Sequence, residues 1–254
     1  GFSNANRQHT TVISMNNRLV KEYVRAICEL KPKAFVMENV AMLRSQVHRF
    51  FLEEQDLDNE RIMALPLSED KIELLPKSVN FNNSITFLEN ARTEIGFAWA
   101  ESFYKIINIL YRYRINVSKF DATLEKYQKK LVAQLDEILK ITAEVEIPNV
   151  LQENDAKMAR EILQYIEQKD NFDDTVSAIS NSILLQRAII KIKELTDNNI
   201  HIFEYAEDNG SLVAVVKSYP VLDYIRAILE NEPYNYILSE NTLNAIHYGA
   251  PPRR

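Results

Sequence analysis

Glycine is scarce, with four in 254 residues, where an average composition of roughly 7% would give about 18. Loops that cradle phosphates need glycine wherever the backbone approaches the ligand or takes positive φ. Gly1, Gly96, Gly210 and Gly249 are too dispersed to build one. A dinucleotide fingerprint and a P-loop are therefore excluded. Cysteine is scarcer still: Cys28 stands alone and cannot close an intramolecular disulfide. With no positively charged leader ahead of an apolar run, a reducing, cytoplasmic setting is expected. No apolar stretch approaches the roughly 18 residues that span a membrane. An initiator Met is also missing, and the opening Gly1-Phe2-Ser3 reads as the edge of a piece cut from something longer.

Hydrophobic residues make up 46% of the chain and charged residues 26%, enough for an ordinary core. With so little glycine, abundant Leu, Ile, Ala, Glu and Lys predict long helices and few tight turns. The formal charge of -6 is unevenly placed. Residues 1–44 are net +4, residues 45–218 net -9 and residues 219–254 net -1. The first block suits a polyanion, whereas the acidic middle is a poor candidate for a nonspecific DNA clamp.

From Asn17 to Leu30 the positions Leu19, Val20, Tyr23, Val24, Ile27 and Leu30 follow the i, i+3, i+4 spacing of an amphipathic helix, ended by Pro32. Ala34 to Met37 is a short apolar run before Glu38-Asn39, as expected of a parallel strand buried on both faces. The middle predicts one long helix over 84–115. A second helix is opened by a capping box of Ser118 and Asp121, and two more cover 155–168 and 175–195. Along the second, Leu124, Tyr127, Leu131, Leu135, Ile138 and Thr142 form a seam for a partner helix. Residues 200–205 and 212–216 predict a β-hairpin turning at Asn209-Gly210. Residues 221–229 predict a helix and 234–238 a strand, so residues near Arg44 and Tyr219 should lie close together.

Read together, the two ends of the chain resemble the DNA (cytosine-5) methyltransferases. Gly1-Phe2-Ser3-Asn4-Ala5-Asn6 is similar to the segment directly after the Pro-Cys-Gln of that family's nucleophile loop. The helix from Asn17 and the run Lys31-Pro32-Lys33-Ala34-Phe35-Val36-Met37-Glu38-Asn39-Val40 are similar to the family's helix and strand ending in Glu-Asn-Val. Leu243-Asn244-Ala245 and Tyr248-Gly249-Ala250-Pro251 are similar to the approach to its Gln-x-Arg-x-Arg segment. The resemblance covers residues 1–44 and 219–254. It departs from the family at Pro252, where Gln is expected, and Arg254 matches only the first Arg. The family's nucleophilic Cys would lie just before Gly1, and its S-adenosylmethionine loop further upstream.

The resemblance implies an α/β fold: part of a Rossmann-like, S-adenosylmethionine-dependent methyltransferase domain in two blocks, 1–44 and 219–254. A mainly helical insertion with the hairpin, 45–218, interrupts it. It also implies a thiolate attack on C6 of a flipped-out cytosine, with the methyl group of S-adenosylmethionine taken up at C5. Glu38 is then the catalytic carboxyl for the base edge, at the end of a strand where α/β sites gather. Partial burial there would raise its pKa. Ser3, Asn4 and Arg7 would touch DNA phosphates, and Arg254 a phosphate or the base carbonyl.

Several residues are set aside. Cys28 lies mid-helix and reads as an inert core thiol. His9, His48, His201 and His247 lack metal-ligand spacing, and Trp99, Phe97, Phe103 and Tyr104 read as core. The run Tyr111-Arg112-Tyr113-Arg114 reads as cations complementing a helix end, a nucleic-acid contact being the alternative.

Two functions follow. In the first, the chain is an internal piece of a bacterial cytosine-5 methyltransferase of a restriction-modification system, acting on double-stranded DNA and inactive in isolation. In the second, the insert is an interaction module for DNA, a partner endonuclease or another subunit, and the flanks are a vestigial scaffold.

Overall fold

The computed structural model describes residues 15–38, 48–79, 87, 88, 90 and 98–241. Backbone contacts divide the chain into two units. One comprises residues 1–70, 198–203 and 216–254, and the other residues 71–197 and 204–215.

In the first unit, helix α1 (Met15–Leu30) buries Val20, Val24 and Ile27, a narrower stripe than its spacing predicts, since Leu19 and Leu30 are left outside. Lys31 ends it in the left-handed region at φ 46°, with Pro32 behind. Strand β1 (Arg49–Phe51) and the short helix α2 (Glu60–Met63), capped by Asn59, follow. Helix α7 (Val221–Leu229) closes the core of this unit, where Val20, Val24, Ile27, Phe50, Leu52, Tyr219 and Ile225 meet.

Strands β2 (Ser68–Leu75), β3 (Ile202–Asp208) and β4 (Ser211–Pro220) complete a four-stranded sheet of order β1-β4-β2, with β3 also on β4. β1 runs antiparallel to β4, with Phe50 opposite Tyr219. Residues near Arg44 and Tyr219 thus approach as expected, Arg44 itself lying outside the described residues. β4 is longer than its apolar run because, as the middle strand, it is buried from Leu212 to Val216 and again from Ser218 to Pro220. The hairpin turns at Asn209 (φ 52°) and Gly210 (φ 85°), the pair of positive φ values a two-residue turn needs. A Cβ on Gly210 would also lie 2.9 Å from Lys77 Cδ.

The second unit is built on four helices: α3 (Glu101–Arg112), α4 (Val117–Ala143), α5 (Val150–Gln168) and α6 (Phe172–Asp197). Each packs on two of the others, α3 on α4 and α6, α5 on α4 and α6, around Phe103, Ile107, Leu110, Leu131, Ile162 and Ile183. α6 is buried nearly all round, from Thr175 to Leu195.

Several expectations are corrected. The long helix over 84–115 is interrupted. Residues 98–100 are not helical, because Ala100 is extended at ψ 141° to cap α3 and the Trp99 N–H donates to Gln186 Oε1 at 3.0 Å. α4 is capped by Asn116, whose side chain accepts from the Lys119 N–H at 3.0 Å, and not by Ser118. The seam needs no outside partner: Leu124, Leu131 and Leu135 are fully buried in the unit's own core, with Tyr127 and Ile138 packed on it. Residues 34–37 and 234–238 do not form strands, and no parallel pairing involves them among the described residues. A buried strand requires ladder partners on its edges, and these segments have none there; Val36 is 88% and Ile237 97% exposed.

Candidate functional site

Glu38 is the one candidate site residue among the described residues. Ser3, Asn4, Arg7 and Arg254 lie outside them, as do His9 and His247. Glu38 ends a segment in which Phe35 and Met37 turn inward, half-buried, while Ala34, Val36 and Glu38 face out. Its carboxyl is exposed, so the partial burial expected of it is not seen.

Two tyrosines hold this segment by its backbone. The Tyr23 hydroxyl, from α1, donates to the Val36 carbonyl at 2.8 Å. That of Tyr236 donates to the Pro32 carbonyl at 2.7 Å, and the Tyr236 N–H is fixed on the Leu229 carbonyl at 2.9 Å. Phe35 sits edge-on to both rings, with centroids 6.3 Å from Tyr23 and 5.1 Å from Tyr236, the arrangement that ring quadrupoles favour. The approach to Glu38 is therefore pinned at Pro32 and Val36 by side chains from the first and last parts of the chain. Sequence reasoning read Tyr23 as one more stripe residue and Tyr236 as a strand residue; neither position signals a backbone clamp.

Beside this lies a cluster that the sequence did not announce. The Lys21 ammonium is 2.7 Å from Glu53 Oε1 and 3.3 Å from Asp56 Oδ2. It also lies 5.2 Å from the ring centroid of Phe50, 5.7 Å from that of Tyr219 and 5.8 Å from that of Tyr224. Tyr219 donates to Asp56 Oδ2 at 2.9 Å, and the Glu53 N–H donates to the same oxygen at 3.0 Å. Burial, with the negative charge of Asp56 added, holds the Tyr219 phenol far above its ordinary pKa, so it stays a donor. Removing one partner of such a buried set leaves uncompensated charge. Lys21→Met, which keeps the stem among the rings, is expected to destabilise the protein by about 3 kcal/mol. The measurement is a lower urea midpoint at unchanged m-value; an unchanged midpoint would show that the carboxylates do not need the cation.

Cys28 is half-buried on α1 and packs on the core. His201 Nδ1 lies 2.8 Å from Glu54 Oε2. Among the described residues no group of three His, Cys, Asp or Glu is placed to hold a metal ion, and no helix is long and apolar enough to cross a membrane. A shallow cavity of about 420 Å³ is lined by Gln55, Asp58, Asn59, Glu60 and Arg61. Its walls are polar and charged, with no apolar slot for an adenine ring, so these residues do not fit S-adenosylmethionine.

Residues 1–58 match the family model for C-5 cytosine-specific DNA methylase. The match covers α1, Glu38 and the Glu53–Asp56 end of the ion cluster, and runs past Arg44. The resemblance read in residues 219–254 is not part of it. Comparison with curated proteins and with solved structures gives no match.

Proposed function

We propose that this chain, whose residues 1–58 are a segment of the C-5 cytosine-specific DNA methylase family, belongs to a bacterial restriction-modification enzyme. The enzyme methylates C5 of a flipped-out cytosine in double-stranded DNA. The match over 1–58 carries the reading, because it contains the Glu-Asn-Val segment at Glu38. The methyl donor implied by the family is S-adenosylmethionine. No step of the donor's chemistry is assigned to these residues.

On the base side, Glu38 is proposed to hydrogen-bond N3 and the exocyclic amine of the flipped cytosine and to supply the proton that makes C6 electrophilic. Its exposure supports this role, since an incoming base must reach it. Ser3, Asn4, Arg7 and Arg254 are proposed to contact phosphates or the base. The attacking thiolate is not assigned to Cys28, whose packing on the core of α1 keeps it from a base. The insertion is proposed to lie between catalytic blocks 1–44 and 219–254. The family match runs to residue 58, fourteen residues past the end of the first proposed block.

The test is methyl transfer by the full-length protein to duplex DNA, mapped by bisulfite conversion, to which a C5 methyl group makes cytosine resistant. Protected cytosines at a defined site are expected. Their absence, with S-adenosylmethionine supplied, would overturn the reading.

A further inference from the structure

The four-helix unit carries a charge pattern that folding does not account for. From Ser102 to Phe120 there is no acidic residue, while Lys105, Arg112, Arg114 and Lys119 all fall in that stretch, inside a region that is net negative. The structure concentrates the last three at the corner between α3 and α4. Arg112, Arg114 and Lys119 are exposed there, and the first turn of α4 has no acidic residue.

The corner is also ordered. The Arg114 guanidinium lies 4.4 Å from the centroid of the Tyr111 ring and that of Arg187, from α6, lies 4.9 Å from the same centroid. Arg187 donates to Asn108 Oδ1 at 2.9 Å and to the Tyr104 hydroxyl at 3.4 Å, and Arg114 donates to the Tyr111 carbonyl at 3.0 Å. Lys119 Nζ lies 5.6 Å from the centroid of Tyr113. Two guanidinium groups are thus held on one ring, with no carboxylate in ion-pairing distance of Arg112, Arg114 or Arg187 among the described residues. Complementing the end of α3 explains Arg112, in its last turn, and Arg114, on the Tyr111 carbonyl, but neither Lys119 nor Arg187. Like charges gathered without a counter-charge repel one another, and an anion supplied from outside relieves that repulsion.

We propose that this corner grips the phosphate backbone of double-stranded DNA. The inference rests on the DNA-methylase reading. Arginines pre-ordered on an aromatic face present planar donors to phosphate with little further loss of side-chain entropy. The exposed apolar surface at the corner, Ile115 at 90% and Val117 at 48%, is too small for the roughly 800 Å² per partner of a stable protein interface. The acidic remainder of the unit confines the contact to this corner.

The test is the salt dependence of duplex binding by the full-length protein. Each lost phosphate contact lowers the slope of log K against log salt by about 0.9. Arg112→Gln/Arg114→Gln is expected to lower it by about 2. Arg112→Gln alone, at an exposed position that supports no fold contact, should lower it by about 1. Lys129→Gln/Lys130→Gln, an equal charge change on the exposed face of α4, should leave it unchanged. An unchanged slope in both arginine variants, with methyl transfer intact, overturns the contact and leaves the methylase reading standing. Absence of DNA binding and methyl transfer in the unaltered protein overturns both.

Discussion

Glu38→Ala in the full-length protein is expected to lower kcat for methyl transfer by ~10²–10⁴-fold, the range for loss of a general acid. KM for DNA should change little. On the proposed reading, DNA affinity rests mostly on phosphate contacts that this variant keeps, whereas the proton proposed to go to N3 counts only as C6 is attacked, and an interaction made only in the transition state shows in kcat. Glu38→Gln separates hydrogen bonding from proton supply. An amide can still face the base edge, so binding of the flipped base should persist while turnover falls nearly as far. The clamp gives a second handle. Tyr236→Phe keeps the edge-to-face contact with Phe35 but removes the bond to the Pro32 carbonyl. It should speed amide exchange in residues 34–38 without moving global stability, and slow turnover by about tenfold through misplacement of Glu38. Full activity in Glu38→Ala would remove Glu38 from the reaction and leave the clamp as a folding contact.

The clamp also shows why the sequence was legible in some places and not in others. Periodicity found α1, α7, the hairpin and, apart from the start of α3, the four helices of the second unit, because each buries a stripe, a run or, in α6, nearly all of its own residues. It failed where the cause is distant in sequence. β2 hides behind Ser68-Glu69-Asp70-Lys71, whose only strand signal is the inward alternation of Ile72 and Leu74. β1 has three residues and exists because β4 offers it an edge. The run over 34–37 is apolar enough for a strand, but apolarity does not supply ladder partners. At the site, short motifs brought Glu38 to notice. The ion set of Lys21, Glu53 and Asp56 spans more than thirty residues and had no local signature at all. The seam on α4 was visible, and its partner proved to be the chain's own next helix.

In the second unit, protein stability should fall as pH rises from about 4 to about 7, through one buried carboxyl. Asp155 Oδ2 accepts from Trp99 Nε1 at 2.7 Å and from Gln186 Nε2 at 3.4 Å, while Oδ1 is buried with no hydrogen-bond partner among the described residues. Burial raises its pKa from 3.8 to about 7, the polar groups of Trp99, Ser182 and Gln186 pulling it back only in part. Between those two values the folded protein holds a proton that the unfolded chain has released, so raising the pH through this window favours unfolding. A shift of this size is worth up to about 4 kcal/mol across the window. Asp155→Asn keeps an acceptor for the indole N–H and removes the titration, so it should be the more stable protein at pH 8 and lose this slope. Trp99 is the only tryptophan in the chain, so its fluorescence reports urea unfolding from beside the group in question. The quantity to measure is the difference between the two proteins at each pH, which cancels the other carboxylates. A difference that stays constant from pH 4.5 to 8 would mean that Asp155 is ionised throughout and that the bonds from Trp99 and Gln186 outweigh its burial.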